Sequence, residues 1–164
     1  MKLLTLIFVL IFSANIFAQS DLALPGEKRL KNIKQLTFGG ENAEAYFSSD
    51  SKKLIFQSKR DQLKCDQIFT MNADGSNVKM VSNGGGRTTC SYFHKGGKKI
   101  IYASTFEGNK ECPPNPDFSQ GYVWAVYPDF DIYEANADGK KIKKLTNTKG
   151  YDAEATVSPN GKKI

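Results

Sequence analysis

Residue types that carry out catalysis are sparse in this sequence and stand in no catalytic pattern. A serine hydrolase needs a nucleophile beside a histidine base, yet the chain has one histidine, His94, and no GxSxG turn. His94 precedes Lys95-Gly96-Gly97, so we expect it to be a solvent-exposed turn residue. The cysteines show no CxxC spacing, which argues against a zinc site. We therefore predict no catalytic residue, no metal site and no cofactor.

Two glutamates recur in matching surroundings and are candidates for binding. Glu44 lies in Asn42-Ala43-Glu44-Ala45, and Glu154 lies in Asp152-Ala153-Glu154-Ala155. Carboxylates repeated in this way could hold a cation or the basic groups of a peptide. The alternative is that each carboxylate caps its own loop. We prefer this structural interpretation, because a repeated position often serves the repeat itself.

A segment rich in proline and aromatic residues, 107–127, is a candidate for recognition. It contains Cys112-Pro113-Pro114-Asn115-Pro116, followed by Gly121-Tyr122-Val123-Trp124 and Tyr127. Proline stiffens a loop and aromatic side chains offer contact area, which a protein-binding loop needs. Alternatively, Trp124 and Tyr127 fold the segment back onto the body of the protein. The sequence leaves both interpretations open.

The N-terminus has the order of a secretory signal peptide. Lys2 is followed by an apolar run from Leu3 to Phe12 and by a small residue at Ala18, which predicts a signal peptide over residues 1–18. The run is shorter than the roughly 20 apolar residues that span a bilayer. We therefore expect a periplasmic or secreted protein with no membrane insertion after cleavage.

The charge of the exported part is basic but scattered. The full chain carries +6, and residues 1–18 contribute one lysine and no acid, which leaves +5. The lysines fall in pairs beside turn residues, as in Lys52-Lys53 and Lys98-Lys99, and form no block. Solvated hairpin ends account for such pairs. Export also argues against a nucleic-acid partner.

One sequence pattern occurs three times, at 47–56, 93–102 and 157–164, with offsets of 46 and 64. An aromatic strand followed by an Asp-Gly turn also repeats, at 68–75 and 132–139. Self-similarity at about 45 residues is the length of one four-stranded propeller blade. The additional residues of the second unit are the 107–127 segment, which we interpret as an insertion.

Short runs of β-branched and aromatic residues set the strands within a unit. In the first unit they predict strands over 43–48, 53–58, 67–72 and 78–82. No stretch has a sustained helical period. The predicted fold class is all-β, a β-propeller of four-stranded antiparallel blades with about two and a half blades present.

The repeats resemble those of TolB-like periplasmic β-propellers. The likeness rests on Ser158-Pro159-Asn160-Gly161-Lys162-Lys163-Ile164, on the segment from Asp131-Ile132-Tyr133 to Asp138-Gly139, and on Leu145-Thr146. It implies a partial propeller over 33–164 after a lead-in of residues 19–32, with blades over about 33–77, 78–141 and an incomplete 142–164. Since a closed ring takes about four to eight blades, we expect the chain to be a fragment; assembly of several short chains is the alternative.

Blade geometry places the candidate binding residues on one face of the propeller. The inner strand of each blade begins there, and the loop that joins the second and third strands lies there too. Binding residues tend to occupy loops carried by a rigid scaffold. The predicted binding residues on this face are Glu44, Arg60, Asp61, Arg87, Trp124, Tyr127, Asp152 and Glu154.

The three cysteines map to the same face. An exported chain with three cysteines is expected to hold one disulfide and one free thiol. The candidates are Cys65, Cys90 and Cys112, and a bond of Cys90 with either Cys65 or Cys112 is compatible with the shared face. The sequence does not determine which.

The resemblance implies a non-catalytic exported scaffold that binds a protein or peptide partner in the cell envelope. The alternative is the gating propeller of an exported prolyl-oligopeptidase-type serine peptidase, with the catalytic domain outside this chain. Related blades occur in both classes of protein, so fold alone does not decide function.

Overall fold

The computed structural model describes residues 22–164. The chain divides into two units, Met1–Gln35 and Leu36–Ile164. In the first unit, residues 22–35 form a turn and no strand, with Glu27 N donating to Leu24 O at 3.0 Å. The predicted signal peptide, residues 1–18, lies outside the described residues. Among residues 22–164 there is no helix that could cross a membrane.

The second unit contains two four-stranded antiparallel sheets. The first sheet has the order β1-β2-β3-β4, and its strands are β1 (Glu41–Phe47), β2 (Lys53–Lys59), β3 (Gln67–Asn72) and β4 (Lys79–Met80). The second sheet has the order β5-β6-β7-β8, and its strands are β5 (Thr88–His94), β6 (Lys99–Ser104), β7 (Asp131–Asn136) and β8 (Lys143–Lys144). Each strand thus pairs with the next along the chain, which is the topology of a propeller blade.

This architecture confirms the predicted all-β class with four-stranded antiparallel blades. The strand predicted over 67–72 is found with those bounds, as β3. The fourth strand is shorter than the predicted 78–82 and covers only Lys79–Met80. The division of the chain into repeats at residues 77 and 141 stays a prediction.

Asp-Gly turns close the β3–β4 and β7–β8 hairpins. Gly75 and Gly139 have φ values of 88° and 82°, a conformation that favours glycine. A Cβ atom at Gly139 would overlap the carbonyl oxygen of Val81. The turn of the second sheet therefore approaches the end of the first sheet closely enough to exclude any side chain.

The two sheets pack face to face through an apolar core. Ile55 and Ile68 of the first sheet meet Ile100, Tyr102 and Tyr133 of the second, and each of the five is at most 1 % exposed. Burying one such side chain contributes about 1.5–3 kcal/mol. This shared core joins the two blades into one body.

Residues of the third repeat cover the face of the second sheet that points away from the first sheet. Leu145, Tyr151 and Val157 pack against Phe130 and Ile132. Residues 145–164 form no strand, but their turn matches that of the first repeat. Ser158 N donates to Lys163 O at 2.9 Å, as Ser48 N does to Lys53 O at 2.9 Å.

His94 is buried, contrary to the expectation of an exposed turn residue. It ends strand β5 and is 8 % exposed. Its Nε2 atom lies 3.3 Å from Oε2 of Glu134 on β7, which is two strands away in the same sheet. The expectation was wrong because the turn begins at Lys95, one residue after His94, so that His94 is the last residue of strand β5.

Candidate functional site

The sheet registers bring several loops to one end of both blades. Glu41 at the start of β1 pairs with Lys59, and Ser58 pairs with Gln67, so loop 60–66 lies at the end where β1 begins. In the second sheet, Ser104 pairs with both Thr88 and Asp131, which puts segment 105–130 at the matching end. The insertion predicted from the repeats falls within this longer segment.

A groove of about 430 Å³ lies between the insertion and the strand ends. Volumes of this size are typical of ligand sites, which combine apolar walls with a few polar groups. Its aromatic lining residues are Phe118, Tyr122, Trp124, Tyr127, Phe130 and Tyr151, and its charged lining residues are Glu41, Lys59, Asp66 and Arg87.

Arg87 contacts several of the other residues that line this groove. Its Nη2 donates to Oδ1 of Asn115 at 3.2 Å, and its Nε lies 3.9 Å from Oδ2 of Asp66. The guanidinium also sits over the ring of Tyr127, 5.8 Å from its centre. Because Asp66 belongs to the first sheet's loop and Asn115 to the insertion, Arg87 connects the two walls.

Trp124 and Tyr127 both contact the rest of the protein, yet they differ in exposure. The Tyr127 hydroxyl donates to the carbonyl oxygen of Pro114, which folds the insertion on itself. The Trp124 Nε1 donates to the hydroxyl of Tyr151 at 3.2 Å, but the side chain remains 58 % exposed. Tyr127 also packs against the apolar cluster around Phe130 and Ile132 and so fits the interpretation that the segment folds back onto the body of the protein, whereas most of the Trp124 ring stays exposed.

Phe118 and Tyr122 extend this aromatic surface and were not predicted as binding residues. Their rings stack with centres 6.1 Å apart, and the two residues are 51 % and 80 % exposed. Exposed aromatic clusters are typical of protein-binding surfaces. The signal in the sequence was the density of aromatic residues after Pro116, more than any single position.

Three residues at repeat-equivalent positions share an unusual backbone conformation. Glu44, Cys90 and Glu154 have φ values of 52°, 55° and 57°. In β1 and β5 this position lies at a register shift, between Ala43 and Tyr46 and between Thr89 and Tyr92. Such bulges redirect side chains near functional regions. The repeat pattern in the sequence identifies Glu44 and Glu154 as equivalent positions, and Cys90 is a third equivalent position that was not predicted.

The side chains at these positions form hydrogen bonds, one between two of the equivalent residues and one within strand β1. The Cys90 thiol donates to Oε1 of Glu154 at 2.8 Å, and the Tyr46 hydroxyl donates to Oε2 of Glu44 at 2.7 Å. Burial, reinforced by the bond to Glu154, raises the pKa of the Cys90 thiol to about 12. Within residues 22–164, no three histidine, cysteine or acidic side chains are placed to hold a metal ion.

The structure shows which two of the three candidate cysteines form the disulfide. Cys65 and Cys112 are bonded, with their Cα atoms 5.6 Å apart, and Cys90 is free and buried. Cys90 lies on the inner strand β5, whereas Cys65 and Cys112 lie on the loops that follow the second strand of each sheet. Neither of the pairings considered for Cys90 is found, because a shared face does not bring inner-strand and loop residues into contact.

Three further predicted residues lie outside the groove lining. Arg60 sits over the rings of Phe56 and Phe69, with centres 5.6 and 5.1 Å from its guanidinium carbon. Asp152 accepts a hydrogen bond from the Thr148 hydroxyl at 2.5 Å, and Asp61 is an exposed residue of loop 60–66 with φ 54°. Of the predicted binding residues, the groove therefore gathers Arg87, Trp124 and Tyr127.

Comparisons of sequence give no assignment: no protein-family model matches the chain, and no curated protein matches it. Comparisons of structure find proteins with a similar fold. A protein named as a TolB from Agrobacterium tumefaciens superposes with a TM-score of 0.52 and 21 % identity, over 72 % of this chain. TolB from Acinetobacter baumannii superposes with a TM-score of 0.54 and 24 % identity, over 77 % of this chain.

The chain matches only part of each of these proteins, 38 % of the Agrobacterium chain and 27 % of the Acinetobacter chain. Identities of this size establish the fold alone. The blade topology and the two superpositions agree with the repeat pattern in the sequence. The described part of the chain therefore has the fold of part of a TolB-like β-propeller.

Proposed function

We propose that this protein is an exported, non-catalytic propeller scaffold that binds a protein or peptide partner of the cell envelope through the aromatic groove. The observation that carries the proposal is the exposed ring surface of Trp124, Tyr122 and Phe118 beside a groove of about 430 Å³. Aromatic residues dominate the binding energy of protein interfaces, because they bury large areas at a low cost in side-chain entropy.

The charges on the groove lining indicate what the partner presents. Lys59 Nζ lies 3.3 Å from Glu41 Oε1, and Arg87 faces Asp66, so each positive group has an acidic neighbour. A charged anchor would lose its hydration without finding an unpaired opposite charge. The groove therefore favours an uncharged side chain, aromatic or aliphatic, as the anchor of the partner.

Export is supported by two independent features. The N-terminal order of Lys2, an apolar run and Ala18 is typical of a signal peptide. The Cys65–Cys112 disulfide is of a kind that persists in oxidising compartments. Together they favour a periplasmic or secreted location.

The proposal is tested by selecting phage-displayed random peptides on the oxidised chain and measuring affinities of the enriched peptides by fluorescence anisotropy. We expect the enriched peptides to share an uncharged aromatic or aliphatic anchor. Trp124→Ala should weaken their binding at least tenfold, since loss of an aromatic hot spot typically costs about 2 kcal/mol or more.

Phe47→Ala is the matched control. Phe47 is 61 % exposed, close to the 58 % of Trp124, but it lies at the other end of β1 beside the turn to β2. This variant should bind the peptides like the wild type. Equal losses in both variants, or enrichment of highly charged peptides, would contradict the proposal.

A further inference from the structure

The disulfide joins loops that belong to different blades. Cys65 lies in loop 60–66 of the first sheet, and Cys112 lies in segment 105–130 of the second, 47 residues away in sequence. Segment 105–130 forms no strand, so sheet pairing does not hold it. The disulfide is therefore a covalent tie between the insertion and the neighbouring blade.

Residues next to each cysteine of this disulfide contact Arg87. Asp66 follows Cys65 directly, and Asn115 lies three residues after Cys112. These are the residues that face the Arg87 guanidinium, at 3.9 Å from Nε and 3.2 Å from Nη2. Breaking the disulfide would allow loop 60–66 and segment 105–130 to move apart. Arg87 would then lose its place on the groove lining.

The disulfide is accessible from solvent on one side. A cavity of about 280 Å³ is bordered by both cysteines, by Lys64 and Lys110, and by Glu111. Cys65 itself is only 4 % exposed, whereas Cys112 is partly exposed. A small thiol can thus approach Cys112. The positive charges of the two lysines outnumber the negative charge of Glu111, so the cavity favours the reactive thiolate form of that thiol.

We propose that the Cys65–Cys112 disulfide is a redox-sensitive clasp on the groove, which a dithiol reductant opens so that binding at the groove weakens. The loss of binding rests on the proposed function. The opening of the groove is a property of the chain itself and does not depend on any partner.

The chemical step is a thiol–disulfide exchange in two stages. A thiolate of the reductant attacks Sγ of Cys112, the Cys65–Cys112 bond breaks, and Cys65 leaves as a thiolate that takes up a proton. The second thiol of the reductant then attacks the mixed disulfide and releases Cys112. The products are two protein thiols and the reductant oxidised to its disulfide.

Cys90 does not compete in this exchange. Its sulfur is buried and bonded to Glu154, and the raised pKa of its thiol, about 12, keeps it protonated at neutral pH. Since the thiolate is the nucleophile in exchange reactions, the free cysteine remains a spectator.

Trp124 allows the opening to be measured directly, because it is the single tryptophan of the chain and lines the groove. The full chain is treated with dithiothreitol, and Trp124 emission, iodide quenching and far-ultraviolet circular dichroism are recorded. We expect a shift of emission to longer wavelength and stronger quenching, with the sheet signal retained. Affinity for the selected peptides should fall about tenfold, as for the loss of one anchor.

Two variants control the measurement. Cys65→Ser with Cys112→Ser should reproduce the reduced state without dithiothreitol, and Cys90→Ser should respond to dithiothreitol like the wild type. An unchanged Trp124 signal on reduction would overturn the clasp, as would loss of the sheet signal together with it, since the disulfide would then support the whole fold. A Trp124 response in a chain that selects no peptides would support the clasp and contradict the proposed function.

Discussion

At the scale of single residues, the contacts of His94 make its charge depend on folding. Burial lowers the pKa of the imidazole from its ordinary value of 6.5, and the charges of Lys95 and Lys99 act in the same direction. The carboxylate of Glu134 opposes them, and Lys95 and Lys99 in turn lower the pKa of Glu134. The balance favours a neutral histidine beside an ionised glutamate.

This arrangement predicts a stability that falls on acidification. Above pH 7 the imidazole is neutral in the folded and the unfolded chain, so it adds no pH dependence. As the pH drops through 6.5, the unfolded chain takes up the proton first, and the free energy of unfolding decreases until the folded imidazole is protonated too. The measurement is the urea midpoint at pH 7.5, 6.5 and 5.5.

His94→Gln serves as the control for the other titrating groups. Its midpoint should fall less between pH 7.5 and 5.5 than that of the wild type, because glutamine takes up no proton. Parallel curves for the two proteins would show that His94 does not titrate differently in the folded state.

At the scale of elements, the hairpin turn at Gly139 determines how closely the two blades approach. This turn and the one at Gly97 both require positive φ, with values of 82° and 77°. They differ in their surroundings: a Cβ at Gly139 would overlap the carbonyl oxygen of Val81, whereas nothing lies within 4 Å of a Cβ at Gly97. Comparing substitutions at Gly97 and Gly139 therefore separates the effect of backbone strain from that of a steric clash between the blades.

We expect Gly139→Ala to destabilise the protein more than Gly97→Ala. Each substitution incurs the strain of a left-handed residue, roughly 1–2 kcal/mol. Gly139→Ala adds the cost of forcing an atom against packed backbone, about 1–3 kcal/mol. Chemical denaturation of both variants tests this; equal losses would mean that the turn can shift away from Val81 without cost.

The presence of the insertion could be predicted from the sequence, whereas its conformation could not. Its existence followed from the offset of 64 between repeats, compared with 46 for the preceding pair. Its conformation did not, because residues 105–130 form no strand and are held by the disulfide, Arg87 and Tyr127. Contacts of this kind join residues far apart in sequence and leave no periodic pattern.

At the scale of the whole molecule, strand β1 is an edge of the first sheet and, among residues 22–164, pairs only with β2. Six of the seven residues of β1 are exposed, and only Tyr46 is partly buried. An unpaired strand edge is a template for association with other chains. We expect the chain over residues 19–164 to form concentration-dependent oligomers in light scattering coupled to size exclusion.

Reversal on dilution separates this association from irreversible aggregation of an unfolded chain. A charged substitution on the exposed edge, Ala45→Lys, should shift the species toward monomer, because like charges oppose edge pairing. A single monomeric peak of the wild type at all concentrations, with cooperative melting, would show that the open edge does not drive association.

The sequence by itself determined the blade. Repeat length, strand runs and Asp-Gly turns are local properties, because strand pairing within a blade links neighbours along the chain. The topology of both sheets and the presence of a loop-rich face follow from them. For the same reason the repeat pattern alone identifies Glu44 and Glu154 as equivalent positions.

Only the tertiary structure decided which residues of that face meet. It joined Cys65 to Cys112 instead of Cys90, brought Arg87 between Asp66 and Asn115, and left Arg60 on the rings of Phe56 and Phe69. These outcomes depend on distances between loops of different blades, which are set by the packing of the core between the two sheets. Sequence patterns indicate where each strand lies and how strands pair within a blade. The groove depends on how the two blades pack against each other.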